Sequence, residues 1–257
     1  MHESAVNVIH DSFVISINGL TPNAPDVRDY LFVRSNQDTP YADGRGFYVP
    51  DLLIRANRRN VFQVEVAFTQ TYSNVRSKIA RVLQNESMLG VLLVQIKEEE
   101  DRPGPGRKPS KEDKMTLDDW YASVGRVGSF GAISNKDIVW MNSIEVFVAL
   151  FEQGWDESIN DPPMVRRPLI SFKSMRDSVL SYLSKHTIPE EGHFSFPELD
   201  TQLNIIWHSI IEQALRQYRP NTQVDDFNVD WIALRKSLIN GMLDTAYFRY
   251  LKWVGQA

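Results

Sequence analysis

Asp51 and Glu65 are the residues whose types and surroundings could do chemistry together. Each interrupts a hydrophobic, β-forming run: Asp51 follows Pro50 within Phe47–Ile54, and Glu65 lies within Val61–Phe68. Arg55 to Asn60, between them, is polar and basic, as a turn joining two strands should be. In the second run Phe62, Val64, Val66 and Phe68 share one strand face, while Gln63, Glu65 and Ala67 share the other. Glu65 is therefore a charge on the less apolar face of a strong strand. Two adjacent strands would bring the carboxylates within reach of one ion. Hard divalent cations such as Mg²⁺ are held by one or two carboxylates together with water and substrate phosphate.

The elements that follow must position this pair. Val75, Ile79, Val82 and Leu83 are spaced as the buried face of a helix, and Lys78 borders that face. Met88–Ile96 (MLGVLLVQI) is almost continuously apolar and reads as a buried central strand. A parallel strand–helix–strand connection puts the helix over one face of the sheet.

Pro50-Asp51, a turn, and Glu65-Val66-Ala67 closing a hydrophobic strand resemble the active-site hairpin of the PD-(D/E)XK nuclease superfamily. The string VEVAFTQTY, the basic helix and VLLVQI are similar to nuclease-like domains encoded in many fungal genomes, over about residues 45–97. In those, a VEVG-type strand runs into an SQS-type helix start. The resemblance implies a restriction-endonuclease-like α/β fold, a mixed sheet flanked by helices. It also implies metal-dependent hydrolysis of phosphodiester bonds in DNA or RNA, with Asp51 and Glu65 holding Mg²⁺ or Mn²⁺. One position departs from the pattern: the family lysine two residues after the glutamate is Ala67 here. In the superfamily this lysine can come from a neighbouring helix, which makes Lys78 the candidate. Gln70, matching the glutamine of the SQS-type pattern, is the second. Arg55, Arg58 and Arg59 of the turn, with Arg76 and Arg81 of the helix, would contact phosphates. The alternative is a catalytically inactive nuclease-fold module that binds nucleic acid or a protein partner, and Ala67 favours it. In the superfamily a helix before the first strand sometimes carries a further acidic residue; Glu3 and Asp29 are the positions that could match it, and neither is taken as a site residue.

Other constellations carry less. His10-Asp11-Ser12 are adjacent in one segment, and a catalytic triad is a matter of geometry rather than adjacency. Gly125–Gly131 lacks the Lys-Ser/Thr ending of a phosphate loop and reads as a loop or hairpin. Glu98 to Asp101 read as solvated charges at a strand exit. Arg102, Arg107, Lys108, Lys111 and Lys114 lie in a Pro/Gly/Lys-rich stretch, either a solubilising insertion or a brush against phosphate. His208 reads as a partly buried, satisfied histidine, and His186 and His193 lack the surroundings of a metal site.

The 257 residues are 42% hydrophobic and 24% charged, which is globular composition with room for a full core. A net charge of −5 means that any nucleic-acid binding must come from a local patch. The chain has no cysteine, which excludes disulfides, Fe–S clusters, zinc-thiolate sites and thiol catalysis. With no signal-peptide pattern and no apolar run of about 18 residues, the expectation is an intracellular protein, cytoplasmic or nuclear, without a membrane partner.

Residues 1–152 are expected to form the α/β core, with a mobile insertion at about 98–115, and 153–257 a helical C-terminal region, packed on the core or separate. Ser12–Leu20 alternates as a strand would, and Val27–Val33 reads as a short strand or helix. Asp43-Gly44 and Gly46 favour tight turns, Thr116 caps a short helix through Tyr121, and Asp137–Phe151 supplies one or two strands. Helices are predicted over Ser171–His186, from Phe196-Pro197 through Leu215, and over Val229–Val254, the last kinked at Gly241. These C-terminal helices also offer a surface for a homodimer or a protein partner.

Overall fold

The computed structural model describes residues 1–20, 27–68, 70, 72–99, 104–110, 113–126, 131–155, 170–171, 197–215 and 224–255. In chain order the elements are α1 (His2–Leu20), α2 (Val27–Tyr30), β1 (Leu31–Ser35), β2 (Thr39–Pro40), β3 (Phe47–Tyr48), β4 (Leu52–Ala56) and β5 (Arg59–Phe68). There follow α3 (Tyr72–Leu83), β6 (Gly90–Glu98), α4 (Leu117–Ser123), β7 (Val124–Arg126), β8 (Ile133–Asn135), β9 (Ile138–Met141), β10 (Ile144–Glu152) and β11 (Ile170–Ser171). Two long helices, α5 (Pro197–Leu215) and α6 (Trp231–Trp253), come last.

Six strands form one sheet in the order β1-β4-β5-β6-β10-β11. β5 and β6 are parallel, with Glu65 opposite Leu93 and Ala67 opposite Gln95, and the other pairings are antiparallel. The fold is therefore mixed α/β around a mixed sheet. Its two faces are covered by different helices. Val75, Ile79, Val82 and Leu83 of α3 pack on Leu53, Ala67, Leu93 and Ala149. On the other face Phe62, Val64, Val66, Leu92 and Val94 pack with α1, α5 and α6 in a single larger cluster. Burying a side chain of this size contributes about 1.5–3 kcal/mol, so four such anchors fix α3, and Lys78 with it.

The alternation of β5 is as read, but its second face is not solvated: Gln63, Glu65 and Ala67 are all buried. A central strand between two helical layers has no wet side, so Glu65 is a charge in the interior. The run Phe47–Ile54 is two strands rather than one. It breaks at Pro50, leaving β3 paired with β2 and β4 in the main sheet. The turn between β4 and β5 is only Asn57-Arg58, both at positive φ (50° and 66°), as a two-residue hairpin requires.

Ser12–Leu20 is helical, the end of α1. Ala5, Ile9, Phe13, Ile17 and Leu20 form its buried stripe at helical spacing, whereas Ile15, taken as part of an alternation, is 70% exposed. Val27–Val33 divides between α2 and β1. Thr116 does cap α4, its side chain accepting from the Asp119 N–H. Residues 104–110 and 113–115 make contacts within the stretch and to α6. Arg107 pairs with both oxygens of Asp113, each at 2.7 Å, and the Trp253 indole donates to the Arg107 carbonyl. Glu98 is not a solvated charge either: Arg249 of α6 grips both its oxygens at 2.6 and 2.7 Å. α6 is one helix through Gly241, where an added Cβ would lie 2.6 Å from Met1. The glycine permits close approach of the start of α1. The helix predicted over Ser171–His186, together with His186 and His193, lies outside the described residues apart from Ser171 in β11.

Candidate functional site

The hairpin register sets Leu52 opposite Val64, so Asp51 enters the sheet beside Glu65. Asp51 Oδ2 accepts the backbone N–H of Val66 at 2.6 Å, which locks the carboxylate against β5. Its Oδ1 lies 3.0 Å from Nε2 of His2, at the first turn of α1. The His2 Nδ1 in turn lies 3.3 Å from Glu3. The hydrogen bond with Asp51 is the main reason that the His2 imidazole titrates above its ordinary range.

Glu65 is held from two sides. Gln63, two residues back on the same strand face, donates its Nε2 to Oε1. Lys78 Nζ reaches Oε2 at 2.6 Å and also donates to the Val49 carbonyl at 3.2 Å. The Lys78 ammonium lies 5.8 Å from the centre of the Tyr48 ring, and Tyr48 is buried below it. Burial, followed by the Glu65 charge, raises the Tyr48 phenol above its ordinary range. Burial also pushes Glu65 up to about 7, against the opposing pull of Lys78 and with a smaller upward push from Asp51. Desolvation thus outweighs even a close ion pair, as expected for a carboxylate inside two packed layers.

The predicted residues do not all gather here. Asp51, Glu65 and Lys78 do. Gln70 is exposed beyond the end of β5, and its carbonyl accepts from Gln95, the neighbour of Ala67 on β6. Arg81, one turn beyond Lys78, stacks 3.6 Å over Tyr41 and reaches Asp43 and the Arg45 carbonyl. Arg76 lies over Trp155. Arg55, Arg58 and Arg59 are at the other end of the hairpin. Arg59 lies six residues before Glu65 along β5, about 20 Å at 3.3 Å per residue, and the Arg55 guanidinium donates to the Arg58 carbonyl. They do not flank the carboxylates as the sequence suggested. Asn57 of that turn caps α5 through the Gln213 and Ala214 carbonyls. Of the proposed acidic equivalents, Glu3 reaches the site only through His2.

His2, Gln63 and Tyr48 join the site without being among the residues that the sequence singles out. Gln63 was legible, since two strand residues separated by one share a face. His2 was not, because no local pattern says where the start of α1 lands. Among the described residues no three His, Asp or Glu side chains are gathered for a metal. An ion here would take Asp51 and Glu65 and complete its shell with water and substrate oxygens, as Mg²⁺ commonly does. The donor set is of the kind such an ion takes, hard carboxylate oxygens, with one oxygen of Glu65 paired to Lys78 and one of Asp51 to His2. Among the described residues, Glu65 accepts from Gln63 and Lys78 at its two oxygens, and Asp51 meets Val66 N–H and His2 at its own.

Comparison of the chain with protein-family models, curated proteins and solved structures gave no match. Among the described residues no helix is long and apolar enough to cross a membrane.

Proposed function

We propose that the chain is a metal-dependent nuclease that hydrolyses phosphodiester bonds of DNA or RNA at the Asp51–Glu65 pair. The observation that carries this reading is the convergence of Lys78 on Glu65, 2.6 Å from Oε2, from the helix that follows the strand. A cation stands beside the carboxylates although the strand position two residues after Glu65 is Ala67. When bound, Mg²⁺ or Mn²⁺ would lower the pKa of a coordinated water and offset charge on the phosphoryl oxygens. Asp51, held by Val66 N–H and His2, and Glu65, held by Gln63, supply preorganised oxygen ligands. Lys78, which donates to Glu65 and to the Val49 carbonyl, has one further N–H with which it would meet a water or phosphate oxygen beside the carboxylates. Arg81, on the same helix, is engaged by Tyr41, Asp43 and the Arg45 carbonyl. Phe47 and Val49, on either side of Tyr48 in sequence, are exposed.

Gln70 has weaker support than Lys78 as the water-positioning group, since what is fixed there is its carbonyl. One observation favours the second reading, a nuclease-fold module that binds without cutting. Lys78 and His2 already partner both carboxylates. Incubation of end-labelled single- and double-stranded DNA and RNA with Mg²⁺ or Mn²⁺ separates the readings. Cleavage supports the enzyme, and retention of nucleic acid without any cleavage supports the binding module.

A further inference from the structure

Lys78 has a second consequence for the site, and it rests on the reading just given. Its ammonium lies on Glu65 Oε2, on the carboxylate that a divalent ion would share with Asp51. Glu65 is enclosed, with a side chain only 9% exposed, while that of Lys78 is 24% exposed. The carboxylate therefore has little freedom to turn away, and the lysine is the partner that can yield. Gln63 holds Oε1 from within the sheet, which leaves the Oε2 side as the approach. The lysine already holds a second anchor, the Val49 carbonyl at 3.2 Å, which it can keep when it leaves Glu65.

We infer that Lys78 and the divalent ion compete for Glu65, so that the lysine sets the affinity of the site for the ion and is released toward substrate only when the ion binds. Two cations cannot share one buried carboxylate oxygen without repulsion, and in a partly enclosed site that repulsion is large. The lysine thus acts as a resident counter-charge that keeps Glu65 paired until a stronger one arrives. The site should consequently take its ion weakly, and more weakly than the carboxylates alone would.

Mn²⁺ binding, measured by calorimetry at about pH 8, above the Glu65 range, tests this in the full chain. Lys78→Met should bind Mn²⁺ about tenfold or more tightly than wild type, and Glu65→Gln should bind it poorly in either background. Equal or weaker binding by Lys78→Met would overturn the competition while leaving a metal site intact. No Mn²⁺ binding by any form would remove both the competition and the metal-dependent reading. A second measurement needs no variant: amine labelling of wild type, read by mass spectrometry, should increase severalfold at Lys78 when Mn²⁺ is added. Unchanged or reduced labelling on Mn²⁺ binding would also overturn the inference.

Discussion

Lys78 Nζ and Glu65 Oε2 lie 2.6 Å apart across 13 residues of sequence, one on α3 and the other on the strand below it. Burial nevertheless outweighs this pairing and leaves Glu65 titrating at about 7.

That balance gives stability a pH dependence. The folded state holds the Glu65 proton up to about 7, whereas the ordinary value is 4.5. Between these values the folded state binds more protons than the unfolded, so this group's contribution falls as pH rises and is flat above the window. The difference amounts to about 3 kcal/mol. His2, raised by Asp51, acts with the same sign: its contribution is present at low pH and is lost as pH rises through its folded value. Denaturant unfolding at a series of pH values should show stability falling toward neutrality, and Glu65→Gln should flatten that slope without abolishing it. An identical slope in the variant would contradict the burial argument.

Much of this arrangement was legible in the sequence, and what was not has a physical cause. The period of two in Val61–Phe68 and the helical spacing of Val75, Ile79, Val82 and Leu83 placed Glu65 and Lys78 correctly, because both patterns are local. The strand assignment for Ser12–Leu20 failed because Phe13, Ile15 and Ile17 alternate within what is a longer helical stripe beginning at Ala5. The arginines of the Arg55–Asn60 stretch are close to Asp51 in sequence, but strands are extended, and a few residues carry them the length of the hairpin. Arg249 on Glu98 and His2 on Asp51 join segments 151 and 49 residues apart, beyond any local pattern.

His2 should act as a positioning residue for Asp51. His2→Ala is expected to lower cleavage about tenfold at a cost of no more than about 1 kcal/mol in stability, since the pair is partly exposed. His2→Gln, which retains a donor, should recover part of the activity. The split between activity and unfolding midpoint checks this. A loss of stability that accounts for all the lost activity would show His2 to be structural only.

Gly241 carries the start of α1. Gly241→Ala puts a methyl 2.6 Å from the Cα and Cγ of Met1, so α1 must shift, at a cost of about 1–3 kcal/mol for overpacking. Helix propensity alone would instead stabilise by about 1 kcal/mol, so the sign of the change in thermal midpoint decides. Destabilisation with weakened cleavage is expected, because His2 moves with Met1.

The most direct test of the proposed function compares wild type with Asp51→Ala, Glu65→Ala and Lys78→Ala in Mn²⁺-dependent cleavage of labelled nucleic acid, with folding checked by circular dichroism. Wild type is expected to cleave, and each variant to lose about 100-fold or more in rate, the scale of removing a residue that stabilises charge in the reaction. Wild-type rates in folded Asp51→Ala and Glu65→Ala proteins, or no cleavage by wild type of any DNA or RNA, would contradict it.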